Sequence, residues 1–300
     1  MGEIAAFLVA ICWTLTSVFF TSAGNQVGSL VVNRMRLLLA SGLLMISHVF
    51  LTGQLLPLHA APERWLWLGL SGLVGLILGD AFLFQAFVQI GARISTLIMA
   101  SVPVISALIA WIFLGERLTS LEIGGIFITV SGIALVVLER NHGTNAKLFQ
   151  QKPGYFQGVL FAFLGAVGQA AGLVLQKKGG SGDFPAISSV LIRVFLAAVI
   201  MWSIALLQKN AAHTWTQSLK NKAAFRSIAM GTLVGPFVGI WLSMVAIQAA
   251  YVGVAATLMA LTPIIMLPIA YFLYKEQISK MAFAGTFLSL TGVAVIFIFG

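Results

Sequence analysis

Three ionisable side chains stand inside long apolar runs, where charge is costly. Asp80 is the one acid well inside such a run. A charge at that depth marks a functional group or a paired one. Arg36 lies about two turns into the second apolar run, and Asp80 about three turns before the end of the third. At about 1.5 Å per residue both fall roughly 10–15 Å deep from the same side, so an ion pair can form. That pair can serve as a buried strut, or couple protons or substrate to movement. Arg193 occupies the place of Arg36 in the second half of the chain, without an evident partner in that half. An arginine so placed can clamp a carboxylate or phosphate, or snorkel to the nearest headgroups.

A second set of residues has the composition of a small-molecule cavity. Trp13, Thr16, Phe84, Gln85, Met99, Ser101, Gln169, Trp241, Ser243, Met259 and Thr262 combine aromatic walls with a few hydrogen-bonding groups. For each of them, plain helix packing is the competing reading. Glu116 and Glu276 stand at helix ends, where capping or pairing with Arg117, Lys275 or Lys280 accounts for them. Metal chemistry finds no support: His48, His59, His142 and His213 lie far apart, and Cys12 is the only cysteine. Gly69-Leu70-Ser71-Gly72 has the form of an intramembrane serine protease motif. The only histidine in a span is His48, near the end of its helix, and a small-residue helix face explains Ser71 equally well. No phosphate-binding loop precedes a basic residue, which excludes a pump with its own ATPase. No cofactor is expected, and the chain does not read as an enzyme.

The elements that must position these residues are membrane helices. The 300 residues are 60% hydrophobic and 8% charged, with a mean hydropathy of +1.03; a soluble domain carries about 25% charged residues. The spacing predicts helices near 4–22, 30–51, 65–90, 94–114 and 121–139, then 155–176, 186–207, 225–249, 252–273 and 281–299. The fold class is therefore all-α integral membrane, with about ten transmembrane helices. The net charge of +9 sits at helix ends and in loops, where anionic headgroups attract it, so nucleic acid is not an expected partner. Between Gln208 and Ala224, Trp215 lies among Lys209, Lys220 and Lys222, a mix that suits either a headgroup-level anchor or a solvated loop.

The two sets of five helices are copies. Met99-Ala100-Ser101-Val102-Pro103 returns as Met259-Ala260-Leu261-Thr262-Pro263, 160 residues later. Glu116 and Glu276, Ser71/Gly75/Gly79 and Gly231/Gly235/Gly239, and Gly125/Gly132 and Gly285/Gly292 keep that offset. Trp13 corresponds to Gln169 at an offset of 156, so the cavity is asymmetric. Pro103 and Pro263 interrupt apolar helices and are candidate hinges. Residues 1–139 form one repeat, 140–154 a polar linker and 155–300 the second repeat. An odd number of spans per repeat inverts one relative to the other, an arrangement that places a substrate site near mid-membrane.

These residues resemble the EamA branch of the drug/metabolite transporter superfamily, through the fourth-helix Pro103, the ending Gly115-Glu116-Arg117-Leu118, the glycine-bearing fifth helix, Trp13 and Arg36. Lys275 replaces the glycine before Glu276 in the second copy. The resemblance implies a bacterial inner-membrane carrier that exports amino acids or related small metabolites by alternating access, as a monomer or loose homodimer, with protons as a candidate coupling ion. Organic-cation efflux and a non-transporting sensor or assembly subunit are the alternatives. It also implies cytoplasmic termini, whereas the Lys/Arg distribution favours external ones.

Overall fold

The computed structural model describes residues 2–114, 119–138, 154–249 and 258–299. No strand occurs among them. The ending 115–118 and nearly all of the linker 140–154 lie outside the described residues. Helix α1 (Gly2–Val27) turns into α2 (Ser29–Thr52) at Gly28, whose φ of 84° suits only glycine. Then α3 (Pro62–Ser71), a π-helical segment (Gly72–Gly79) and α4 (Asp80–Met99) follow as one run. That run has 38 residues, about 57 Å of helix against a hydrocarbon core of about 30 Å. It breaks at Gly91, with φ 79° and ψ 168°. The third and fourth expected helices therefore meet at a residue whose backbone geometry L side chains rarely adopt.

The chain continues through α5 (Val102–Leu114) and α6 (Ser120–Leu138) to α7 (Tyr155–Gly179) and α8 (Ala186–Leu207). Next come α9 (Ala211–Lys220), α10 (Lys222–Thr232), a second π-helical segment (Leu233–Gly239), α11 (Ile240–Ala249), α12 (Thr262–Tyr274) and α13 (Lys280–Phe299). Among the described residues seven helices are long and apolar enough to cross a membrane, and the apolar helices Thr262–Tyr274 and Lys280–Ile296 are shorter.

Two local expectations change. The connection from Gln208 to Ala224 is not a loop but contains α9, whose Thr214 and Ser218 are buried while Trp215 and Leu219 are exposed. Pro103 and Pro263 do not sit three turns inside continuous helices. The chain turns at Ala100–Ser101 and at Ala260–Leu261, and each proline falls in the first turn of a new helix, α5 or α12. A proline there forfeits no helical hydrogen bond. The Ser101 hydroxyl donates to Ile98 O at 2.6 Å, beside the Ser101 N–H, and the Thr262 hydroxyl to Met259 O at 3.2 Å, so side chains add hydrogen bonds at both breaks.

Small residues hold the bundle together. A Cβ on Gly132 would lie 2.4 Å from Ser289 N, and one on Gly292 2.4 Å from Thr129 N. The backbones of α6 and α13 are thus in contact, the usual basis of helix association in lipid. Helix α1 packs on α10 and α11, α7 on α3 and α4, and α2 on α8. Large apolar side chains such as Phe50, Phe156, Leu207 and Phe272 point outward, as a lipid-facing surface requires.

Candidate functional site

The first π-helical segment is the centre of the buried polar groups. A π turn spaces its carbonyls differently from an α turn and recurs at functional sites. Here neighbouring side chains take up several of those carbonyls. Asn33 Nδ2 donates to Leu76 O at 3.2 Å and Ile77 O at 3.4 Å. Arg36 Nη2 donates to Leu76 O at 3.4 Å, and Gln169 Nε2 to Gly75 O at 3.3 Å. Asp80 follows directly after the segment. Its two oxygens are shared between Arg36, in an ion pair, and Gln169. Arg36 Nε is held by Asn33 Oδ1 at 3.0 Å, and its guanidinium carbon lies 4.9 Å from the centre of the Phe84 ring. A buried carboxylate with two donors and a buried guanidinium with three acceptors is a satisfied pair.

Arg193 reaches the same segment from α8. It does not snorkel: 8% of it is exposed, Nη1 donates to Gln176, and Nε and Nη2 have no partner. A Cβ on Gly75 would lie 2.6 Å from its Nη2, so glycine at 75 makes room for the guanidinium. Around one π-helical segment, then, the structure places two guanidiniums and one carboxylate. Gln169, which donates to both that carboxylate and the segment, and Arg193, which packs against the segment at Gly75, come from the second half of the sequence.

Apart from Phe84, whose ring faces Arg36, the remaining candidates lie away from Asp80. Phe84 is buried in an apolar cluster with Phe20 and Phe87. Gln85 accepts a hydrogen bond from the Ser29 hydroxyl at 2.7 Å, at the α1–α2 corner and away from Asp80. Met99 packs against the cluster that holds Phe84, and Met259 against α1 with Ala5, Ala6 and Val9. Ser101 and Thr262 serve the helix breaks, and the Thr14 hydroxyl reaches Thr262 O at 3.4 Å. Ser243 donates to Ile240 O within its own helix. Trp13 and Trp241 leave 41% and 45% of their surface uncovered. Glu276 pairs with Arg93 of the first half, Nε to Oε2 2.6 Å, a partner the sequence reading did not name. Ser71 donates to Gly172 O at 2.6 Å and His48 bonds Ser188 and Gln54 O, so no serine–histidine pair forms between them.

Sequence reasoning missed Asn33 and Gln176. Both carried a signal: Asn33 is one turn before Arg36, and Gln176 two turns after Gln169 on the same face of α7.

The comparisons with known proteins agree with this architecture. A model of the EamA-like transporter family matches residues 1–138 and again 156–298. A 75-residue stretch is 33% identical to a "Probable terminal-alkyne amino-acid exporter" from Streptantibioticus cattleyicolor, over 25% of this chain and 25% of that relative. A solved protein structure superposes with a TM-score of 0.64 over 98% of this chain and 95% of its own at 17% identity, a likeness of fold alone. With family matches across both halves, and with apolar helices that need a bilayer, the chain belongs to the EamA-like transporter family and is a multi-pass membrane protein.

Proposed function

We propose that this transporter exports amino acids or closely related carboxylate-bearing metabolites by alternating access, from the inner membrane of a bacterium. The observation that carries the reading is the buried cluster at the contact between the halves, with Arg36 and Arg193 against the single Asp80. Its net charge of one cation attracts a carboxylate and repels an organic cation, which sets the second export class aside. Arg193 Nε and Nη2 take the substrate carboxylate, since unpaired buried donors are costly and gain most from an acceptor. Asp80 is the strut that holds Arg36 and Gln169 together, and a substrate ammonium competes with Gln169 for Oδ1. The name printed for the Streptantibioticus relative, an amino-acid exporter, supports the same substrate class.

The moving parts in this reading are two inverted repeats, 1–139 and 155–300, joined by 140–154 and together making ten spans. Their internal correspondence supports it. Ser71 against Gly172 in one interface is mirrored by Thr16, whose hydroxyl lies 3.4 Å from Gly231 O, in the other. Those positions correspond under the offsets of 160 and 156, and the π-helical segments ending at Gly79 and Gly239 correspond as well. Pro103 and Pro263, at the starts of α5 and α12, mark where each half bends. The test is counterflow in liposomes with labelled amino acids and organic cations, with and without an imposed pH gradient. Amino-acid counterflow that drops roughly tenfold in apparent affinity in Arg193→Lys, which lacks the bidentate fork, is the expected result. Organic-cation transport, or an Arg193→Lys variant of unchanged affinity, overturns the assignment. A response to the pH gradient that Asp80→Asn removes assigns protons as the coupling ion.

A further inference from the structure

A second buried arginine without a counter-ion lies away from the central cluster. Arg34 is 3% exposed. Its Nη1 donates to the Thr214 hydroxyl at 2.9 Å and its Nη2 to Gln208 Oε1 at 3.4 Å, while Nε has no partner. Both acceptors are neutral, and no carboxylate pairs with Arg34 among the described residues. A buried cation left in this state is costly unless an anion joins it.

Arg34 lines a cleft of about 520 Å³ between the α1–α2 corner, α4 and α9. Ser29, Gln85, Asn210, His213 and Gln217 also line it, and no acidic residue does. The features of α9 suit the water–lipid boundary. Helix α9 buries Thr214 and Ser218 against the protein and turns Trp215 and Leu219 outward, with Lys209, Lys220 and Lys222 at its ends. An interfacial helix with an aromatic anchor and flanking lysines lies at headgroup depth. Its inner wall here is a cleft in which the uncompensated Arg34 and its polar neighbours stand beside Val27, Leu30, Val31 and Val88, of a size that accepts a headgroup. We propose that this cleft binds a phosphate oxyanion, with Arg34 supplying the charge and His213, Asn210 and Gln217 further hydrogen bonds. Lipid phosphodiesters and free phosphate share this chemistry.

The full chain in nanodiscs tests it. Thermal unfolding is compared in phosphatidylcholine alone, in phosphatidylcholine with phosphatidylglycerol, and in phosphatidylcholine with added inorganic phosphate. A midpoint raised by several degrees with phosphatidylglycerol assigns a lipid headgroup, and one raised only with inorganic phosphate assigns the free anion. Either shift must disappear in His213→Glu, an exposed position where the new carboxylate faces the cleft without disturbing the core. Arg34→Gln is the direct removal, and His213→Glu stands in for it if that variant fails to fold. No shift with either additive, or the same shift in His213→Glu, overturns the proposal.

Discussion

Asp80 and Arg36 illustrate how a charge is kept inside an apolar bundle. Every oxygen of the carboxylate has a donor, and the guanidinium is flanked by Asn33, Leu76 O and Phe84. Removing one member leaves the other charge buried and unmatched, at a cost of about 3 kcal/mol. Asp80→Leu or Arg36→Met alone is therefore expected to lower the unfolding midpoint in detergent, while the double variant recovers most of the loss and still fails to transport. A double variant no more stable than the singles would show that the pair is not the source of the cost. Arg193 differs: two of its nitrogens are unpaired, so its contribution to stability is small or negative. Arg193→Met is expected to fold at least as well as the parent, by the same melting assay.

At the scale of elements, three features position those residues. The π-helical segment turns the chain so that Asp80 faces Gln169 rather than lipid, and the glycines at 75, 79, 168 and 172 let α7 approach it. The contact of α6 with α13 depends on backbone approach at Gly125, Gly132, Gly285 and Gly292. Gly132→Val inserts side-chain volume where the partner's backbone sits 2.4 Å away, and is expected to cost about 3 kcal/mol or to separate the two helices, measured as a lower melting midpoint. The third feature joins the halves at one face. Arg93, just past the break at Gly91, pairs with Glu276 beside α12, whereas the position 160 residues after Arg93 is Gly253, which has no charge. The sequence thus does not repeat this ion pair at that offset. Arg93→Gln is expected to raise the rate of maleimide labelling of Ser95→Cys, in a Cys12→Ala background; an unchanged rate would mean that the ion pair does not hold that face closed.

For the whole molecule, charge and symmetry bear on orientation. The ten spans expected from the sequence would put both termini on one side, and the Lys/Arg distribution and the family resemblance assign that side differently. A reporter fused after Gly300 is expected to be active in the cytoplasm. Activity outside would instead place the Arg93–Glu276 pair on the cytoplasmic side.

Much of the architecture was legible in the residues themselves. Apolar runs long enough for lipid, a proline and a glycine repeated at a fixed offset, and one acid within reach of one arginine are all one-dimensional facts. They follow from the cost of exposing backbone and charge to hydrocarbon, which the sequence must satisfy locally. What the sequence left open depends on which faces meet. Arg193 had two available outcomes until α8 packed against the glycines of the π-helical segment. Gln85 and Phe84 are neighbours in sequence, yet one lines the cleft beside Arg34 and the other the core, because helix rotation separates them by about 100°. The π-helical turns, the shift of Pro103 and Pro263 to helix starts, and the inward-facing polar side of α9 had no signature strong enough to read in advance. Each is settled by contacts between segments far apart in the chain, where burial of a helix face outweighs its local preference.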